Sequence, residues 1–209
     1  MTVSLVAVGI SAYLSFTYGV EVLKQKTGDQ LLGESTTRGN SLRNLFDARI
    51  KQIQILATDP MIQVLVDELD NASKDEDQTK INESRRDFLI EVQAFQELVG
   101  YSIGFEDVKI LGKQGQAYFS LAQISNEDFS QDPYFLLGLK KSFVDFEPVI
   151  EGQKRMIVVT PIFAKDDNHS SEPIGVIIAK MRTKTMDDIL LNRSGLGKTG
   201  EVYVVNDEY

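Results

Sequence analysis

The sequence predicts an α+β domain, with helices first and then an antiparallel sheet into which one more helix is set. Two observations predict it. Up to Leu98 the apolar residues recur at helical spacing, whereas after Gly100 they alternate or run continuously, as strands do. The prolines and glycines agree: Pro60 and Pro133 each follow an aspartate that can cap a helix, and Gly112 to Gly115 marks a turn.

Taken in order, Thr2 to Val20 (TVSLVAVGISAYLSFTYGV) carries no charge. Its length suits a membrane-spanning helix, which needs ~20 mostly apolar residues, although Ser, Thr and Gly keep its hydropathy moderate. Neither a basic n-region nor a small-residue cleavage site marks it as a signal peptide. A buried core helix is the other alternative. Lys24 and Lys26 follow the span and no basic residue precedes it. That would favour a cytoplasmic C-terminal side, but the rule is weak before a long domain, so charge leaves the side open.

Residues 21–58 read as one long helix leaving the membrane. Leu42, Leu45, Phe46, Ile50, Ile53 and Leu56 form a helical stripe. The stripe serves either as a dimer seam or as a face packed on its own domain. A short helix follows from Pro60 to Asp70, then a polar linker (NASKDEDQT), then a third helix with Phe88, Leu89, Val92, Phe95 and Leu98 on one side. Strands are expected in YSIGFEDVKILG and QAYFSLAQI, in FEPVIEG, in KRMIVVTPIFA and in EPIGVIIAKMR, with a short helix DPYFLLGLKKSF before the third. The runs IVV and GVII suit central strands.

Composition narrows the function. The chain has 209 residues, 42% hydrophobic and 25% charged, enough to build a core. A net charge of −9 argues against nucleic acid as a partner. There is no cysteine, and the lone His169 lies in the polar stretch KDDNHSSEP. Thiolate metal sites, Cys nucleophiles and a Ser/His/Asp set are therefore not expected, nor is a metal or other cofactor, and the chain is read as a non-enzyme. Gly197-Lys198-Thr199 imitates the end of a phosphate-binding loop. However, the glycine required five residues earlier is Asn192, and the order is helix, turn, strand instead of strand, loop, helix.

ILATDPMIQVLVDEL, DPYFLLGLKKSFVDFEPV, and VVTPIF followed by a loop and PIGVIIAKM occur in an order and spacing that resemble the double Cache sensors, the PAS-like extracytoplasmic domains of chemoreceptors and sensor histidine kinases. LNRSGLGKTGEVYVVN looks like the start of a second, membrane-proximal module. The resemblance implies a membrane-distal module over residues 59–186 and a truncated second one over 187–209. It implies ligand sensing outside the cytoplasm, transmission by helix displacement, and a homodimer through the N-terminal helix. A tethered binding or structural ectodomain without signalling output is the alternative.

In the amino-acid-binding subgroup an arginine, a tryptophan and a tyrosine grip the ligand carboxylate, and a later tyrosine and two aspartates help hold the amine. Carried onto this chain, those positions fall on Gln131, Pro133, Tyr134, Val149, Glu151 and Lys180. Only Tyr134 is kept. The candidate ligand-binding residues are thus Gln131, Tyr134, Glu151 and Lys180, with Tyr118. Loss of the arginine and a lysine in place of an aspartate argue against α-amino acids and for an anion such as a small carboxylate. Asn71, Asn82, Asn168 and Asn192 head N-x-Ser sequons and are candidate glycosylation sites, Asn71 and Asn168 in expected loops.

Overall fold

The computed structural model describes residues 2–74, 78–99, 105–122, 127–147, 154–164 and 172–192. The chain forms two compact units, Met1–Arg43 with Met186–Tyr209, and Asn44–Thr185. The fold class is the expected one, α+β, with a long first helix and a five-stranded antiparallel sheet flanked by helices.

Helix α1 runs without a break over Thr2–Ala57. Within the first unit Arg38 is buried, and its Nη1 donates to the Leu190 carbonyl at 3.2 Å. That carbonyl belongs to the last helix, α5 (Lys184–Leu191), whose final carbonyls lack intrahelical partners. The expected membrane span covers residues 2–20, but the side chains of residues 2–10 and 12 lie outside the described ones. Among the described residues no helix is long and apolar enough to cross a membrane. The strand expected at EVYVV also lies outside the described residues.

The second unit begins with the end of α1, which stops at Thr58. Asp59 then caps α2 (Pro60–Lys74), its Oδ1 accepting from Met61 N at 2.8 Å. Helix α3 is Gln78–Val99. The expected linker starts too early, because Asn71 to Lys74 still belong to α2. Asn71 is therefore helical, not in a loop, and its Nδ2 reaches Asp67 Oδ2 one turn back at 3.5 Å.

The strands are β1 (Phe105–Gly112), β2 (Ala117–Ser120), β3 (Phe143–Phe146), β4 (Arg155–Phe163) and β5 (Pro173–Arg182). A short helix α4 (Pro133–Gly138) precedes β3. The sheet order is β2-β1-β5-β4-β3, so β5 and β4 occupy the middle. Both are covered on two sides, which is why they read as apolar runs without alternation. Pro161 is tolerated inside β4 because β3 ends its pairing at Phe143 opposite Val159, leaving that side of Pro161 without a ladder.

The strand expected at FEPVIEG starts earlier, because β3 is Phe143–Phe146, and residues 148–152 lie outside the described ones. Pairing persists one residue further, with Glu147 N donating to Arg155 O at 3.0 Å. Pro148 comes next and has no N–H to donate.

The sheet separates two cores. On one face, Val108, Ile110, Met156, Val158, Ile162, Ile177, Ala179 and Met181 pack against α2, α3 and the end of α1, through Ile62, Leu69, Phe88, Val92, Ile53 and Leu56. On the other, Leu111, Ile157, Val159, Val176 and Ile178 meet Phe135 of α4. The strand period of two assigns neighbours in one strand to opposite cores.

Candidate functional site

The face under α4 is where polar chemistry meets an apolar floor. Asp132 fixes the start of α4, its Oδ1 accepting from Tyr134 N at 2.8 Å and Phe135 N at 3.3 Å. The far end of α4 is pressed onto the sheet at Gly138: a Cβ there would lie 2.5 Å from Val159 Cγ1 and 2.8 Å from Val176 Cγ1. Gly138 thus sets how closely α4 covers the floor. Between these two anchors Tyr134 is half-buried and stacks on Phe143 of β3, with ring centroids 6.3 Å apart.

Charged groups gather where this floor ends. On β5, Lys180 stands between Ile157 of β4 and Asp107 of β1. Lys180 Nζ lies 2.5 Å from Glu147 Oε1, and Glu147 Oε2 lies 3.8 Å from Arg155 Nη1. Arg155 Nε continues the chain to Glu106 Oε2 at 2.6 Å. Asp107 is buried, and its Oδ1 accepts from Ser120 Oγ at 3.0 Å and Ala122 N at 3.1 Å. Asp145, opposite Ile157, is exposed. Burial pushes the Tyr134 phenol above its ordinary range, and Asp145, which also accepts its hydrogen bond, adds to the rise, as do Glu147 and Asp132. The field at Tyr134 is acidic.

This geometry treats the expected site residues differently. Tyr134 and Lys180 do share one side of the sheet. Lys180, however, is already neutralised by Glu147, so it is not the free cation that an anionic ligand was expected to use. Gln131 is exposed in the turn before α4. Glu151 and Asn168 lie outside the described residues. Asn71 and Asn82 are exposed on α2 and α3, and Asn192 is exposed just after α5.

Tyr118 belongs to a different place. Its ring is buried in the helix-side core, over Gly112, where a Cβ would lie 2.5 Å from Tyr118 Cζ. Its hydroxyl donates to Asp70 Oδ1 at 3.1 Å and accepts from Gln116 Nε2 at 2.6 Å. A bulge between Ile110 and Leu111 is the reason: Ala117 faces Leu111 and Phe119 faces Ile110, so Tyr118 is the extra residue and does not follow the alternation.

Sequence reasoning missed Asp107, Asp145 and Glu147. The signal was present in FVDFE, where two acids alternate with Val144 and Phe146, which pack on the helix-side core. Carrying over inherited positions alone passed over it.

No family model matches the sequence, and no curated protein is similar to it. Two solved structures are similar. One is the extracellular domain of vpHK1S-Z8, described as a histidine kinase, with a TM-score of 0.49 and 11% identity over 79% of this chain and 62% of that one. The other is the ligand-binding domain of the Pseudomonas aeruginosa PAO1 amino acid chemoreceptor PctC in complex with GABA, with a TM-score of 0.44 and 14% identity over 76% of this chain and 65% of that one. The chain therefore spans less than two thirds of either domain.

Proposed function

We propose that this chain is the ligand-sensing part of a membrane signal-transduction receptor, a chemoreceptor or a sensor histidine kinase. In this reading it lies outside the cytoplasm and is anchored through the uncharged run Thr2–Val20. The observation that carries the proposal is the α4 face: an apolar floor of Ile157, Val159 and Ile178, bordered by Tyr134, Asp145 and a linked row of charges. Small-molecule sites combine apolar surface with a few placed polar groups.

The route for a signal follows from the strand period. Ile157 and Val159 belong to the α4 face; Met156 and Val158, between and beside them on β4, belong to the core that holds Phe46, Ile50, Ile53 and Leu56 of α1. Packed interiors transmit small displacements instead of absorbing them. A ligand that tightens α4 on β4 and β5 thereby biases the position of α1, provided that it binds the two arrangements with different affinity. Because these four residues of the stripe are committed to their own domain, a dimer seam on α1 falls to the exposed Leu23, Leu31 and Leu32.

The ligand expected here is a small molecule that presents an amine to Asp145 and the Tyr134 hydroxyl, not a simple carboxylate, because Lys180 is already paired. Titration calorimetry of the full chain with ethylammonium, GABA and acetate tests this. Binding of an amine-bearing probe that weakens about tenfold in Asp145→Asn supports the assignment; a tenfold loss is about 1.4 kcal/mol. Binding of acetate that depends on Lys180 would overturn the ligand class, and no binding by any of them would count against the site itself.

A further inference from the structure

A cavity of about 400 Å³ lies outside the sheet edge at β2, on the other side of the sheet from Tyr134. That volume is within the range of small-ligand sites. Leu69 of α2, Ile81 and Arg85 of α3, and Gln116 and Tyr118 of the β2 hairpin line it, with Glu127 at the rim. Its walls are fixed. Gly115, at φ +88°, lets the chain turn, and a Cβ there would lie 2.4 Å from Ser130 N. Phe129 N donates to Gly115 O at 2.9 Å, and Gln116 bridges to Asp128.

The orientation of the Gln116 amide is decided by proton count. The Tyr118 hydroxyl has one hydrogen and donates it to Asp70, a carboxylate that only accepts. It must therefore receive from Gln116, which puts Nε2 against Tyr118 and turns Oε1 the other way. That oxygen is buried and has no hydrogen-bond partner among the described residues. Buried acceptors without partners are rare, and each calls for an explanation. The neighbouring Arg85 donates its Nε to Tyr118 O at 3.2 Å, and its terminal nitrogens supply further donors. The acids at the rim are engaged: Glu127 lies 3.7 Å from Lys109 Nζ, and Asp128 accepts from Ser130 N and Oγ.

We propose that this cavity is a second binding site, for a small neutral molecule rich in hydroxyl groups, a polyol or small sugar. It is independent of the α4 face. A hydroxyl donates and accepts through one atom, so adjacent hydroxyls satisfy Gln116 Oε1 and Arg85 together over the apolar patch of Leu69 and Ile81. A carboxylate would serve Arg85 but has no hydrogen for Gln116 and faces Glu127. An ammonium would serve Gln116 but oppose Arg85.

Saturation-transfer NMR on the full chain with sorbitol, myo-inositol and glucose, and with acetate and ethylammonium as counter-probes, reads the outcome. At least one hydroxyl-rich probe is expected to bind. Its affinity should fall about tenfold in Gln116→Met and stay unchanged in Asp145→Asn, which alters only the other face. Arg85→Met gives a second reading should Gln116→Met fail to fold by circular dichroism. Three silent sugars and polyols, binding indifferent to both cavity variants, or capture of acetate or ethylammonium alone would each overturn the proposal.

Discussion

The two faces of one sheet are built from alternate residues of the same strands, and yet they differ in almost every physical respect. The helix face is covered by parts of three helices and buries Phe88, Ile53, Ile62 and Ile177 completely. Among the described residues the α4 face is covered by one six-residue helix with Phe129 and Leu139 beside it, and its floor runs out into Lys180, Glu147, Asp145 and Asp107. Apolar burial is the main favourable term in folding, so stability is concentrated on the first face. Half-buried and mutually paired polar groups contribute little net stability, because desolvation offsets their attraction, and these sit on the second. Adjacent residues in β4 and β5 thus belong to faces of different make-up, one packed under three helices and the next beside α4.

The comparison breaks most visibly at Phe88. Its ring is fully buried and lies 5.9 Å, centroid to centroid, from Phe119 of β2. Phe88→Ala should lose about 3–5 kcal/mol of unfolding free energy, measured by denaturant titration. An effect as small as that of a residue on the α4 face would mean that the helix face is not the principal store of stability.

Gly138→Ala comes next, at about 1–3 kcal/mol, because a methyl group must push between Val159 and Val176 or lift α4 off the sheet. Its value lies in a split readout. Lifting α4 should change ligand affinity at the α4 face while leaving sugar or polyol binding beside Tyr118 unaltered. Parallel loss at both places would show that the faces are not independent.

Much of this contrast was legible in the sequence, for definite reasons. Asp59-Pro60 and Asp132-Pro133 announce their helices because a capping carboxylate followed by a ring with fixed φ has few other uses. The apolar runs of β4 and β5 announce a sheet covered on both sides. Three things were not legible. The bulge that turns Tyr118 toward the helices is a departure from period two, and no periodic reading contains it. The start of β3 at Phe143 depends on which carbonyls of β4 remain available, a property of the partner strand. The pairing of Lys180 with Glu147 joins residues 33 positions apart, and only the sheet register brings them together. Of the proposed site, Tyr134 and Lys180 could be named from the sequence, but the acids that lie beside them could not.

Tyr118→Phe sharpens the comparison through pH. Burial first, then the charge and hydrogen bond of Asp70, raise the Tyr118 phenol above its ordinary value, against a smaller opposing effect of Gln116. The group ionises at about pH 10 when unfolded, so its folded value is the higher one. The stability linked to this group is then fully present below about pH 10 and declines as pH rises beyond it. In Tyr118→Phe the alkaline decline should be shallower, and the loss at neutral pH about 1 kcal/mol, from the hydrogen bond to Asp70. Equal alkaline slopes in both proteins would remove Tyr118 as the source.

The smallest effect expected is at Lys180. Its side chain and that of Glu147 are 30% and 17% exposed, which places the pair between surface and interior. Lys180→Met leaves Glu147 with Arg155 at 3.8 Å as its remaining partner, so the cost should stay at or below ~1 kcal/mol. Removing both charges, in Lys180→Met with Glu147→Gln, should be close to neutral, because two desolvation penalties vanish along with one attraction. A double-mutant cycle by denaturant titration measures the difference. A coupling well above 1 kcal/mol would mean that the charged end of the α4 face holds the sheet together as the helix face does, and the division between a packing face and a recognition face would then fail at the residues that define it.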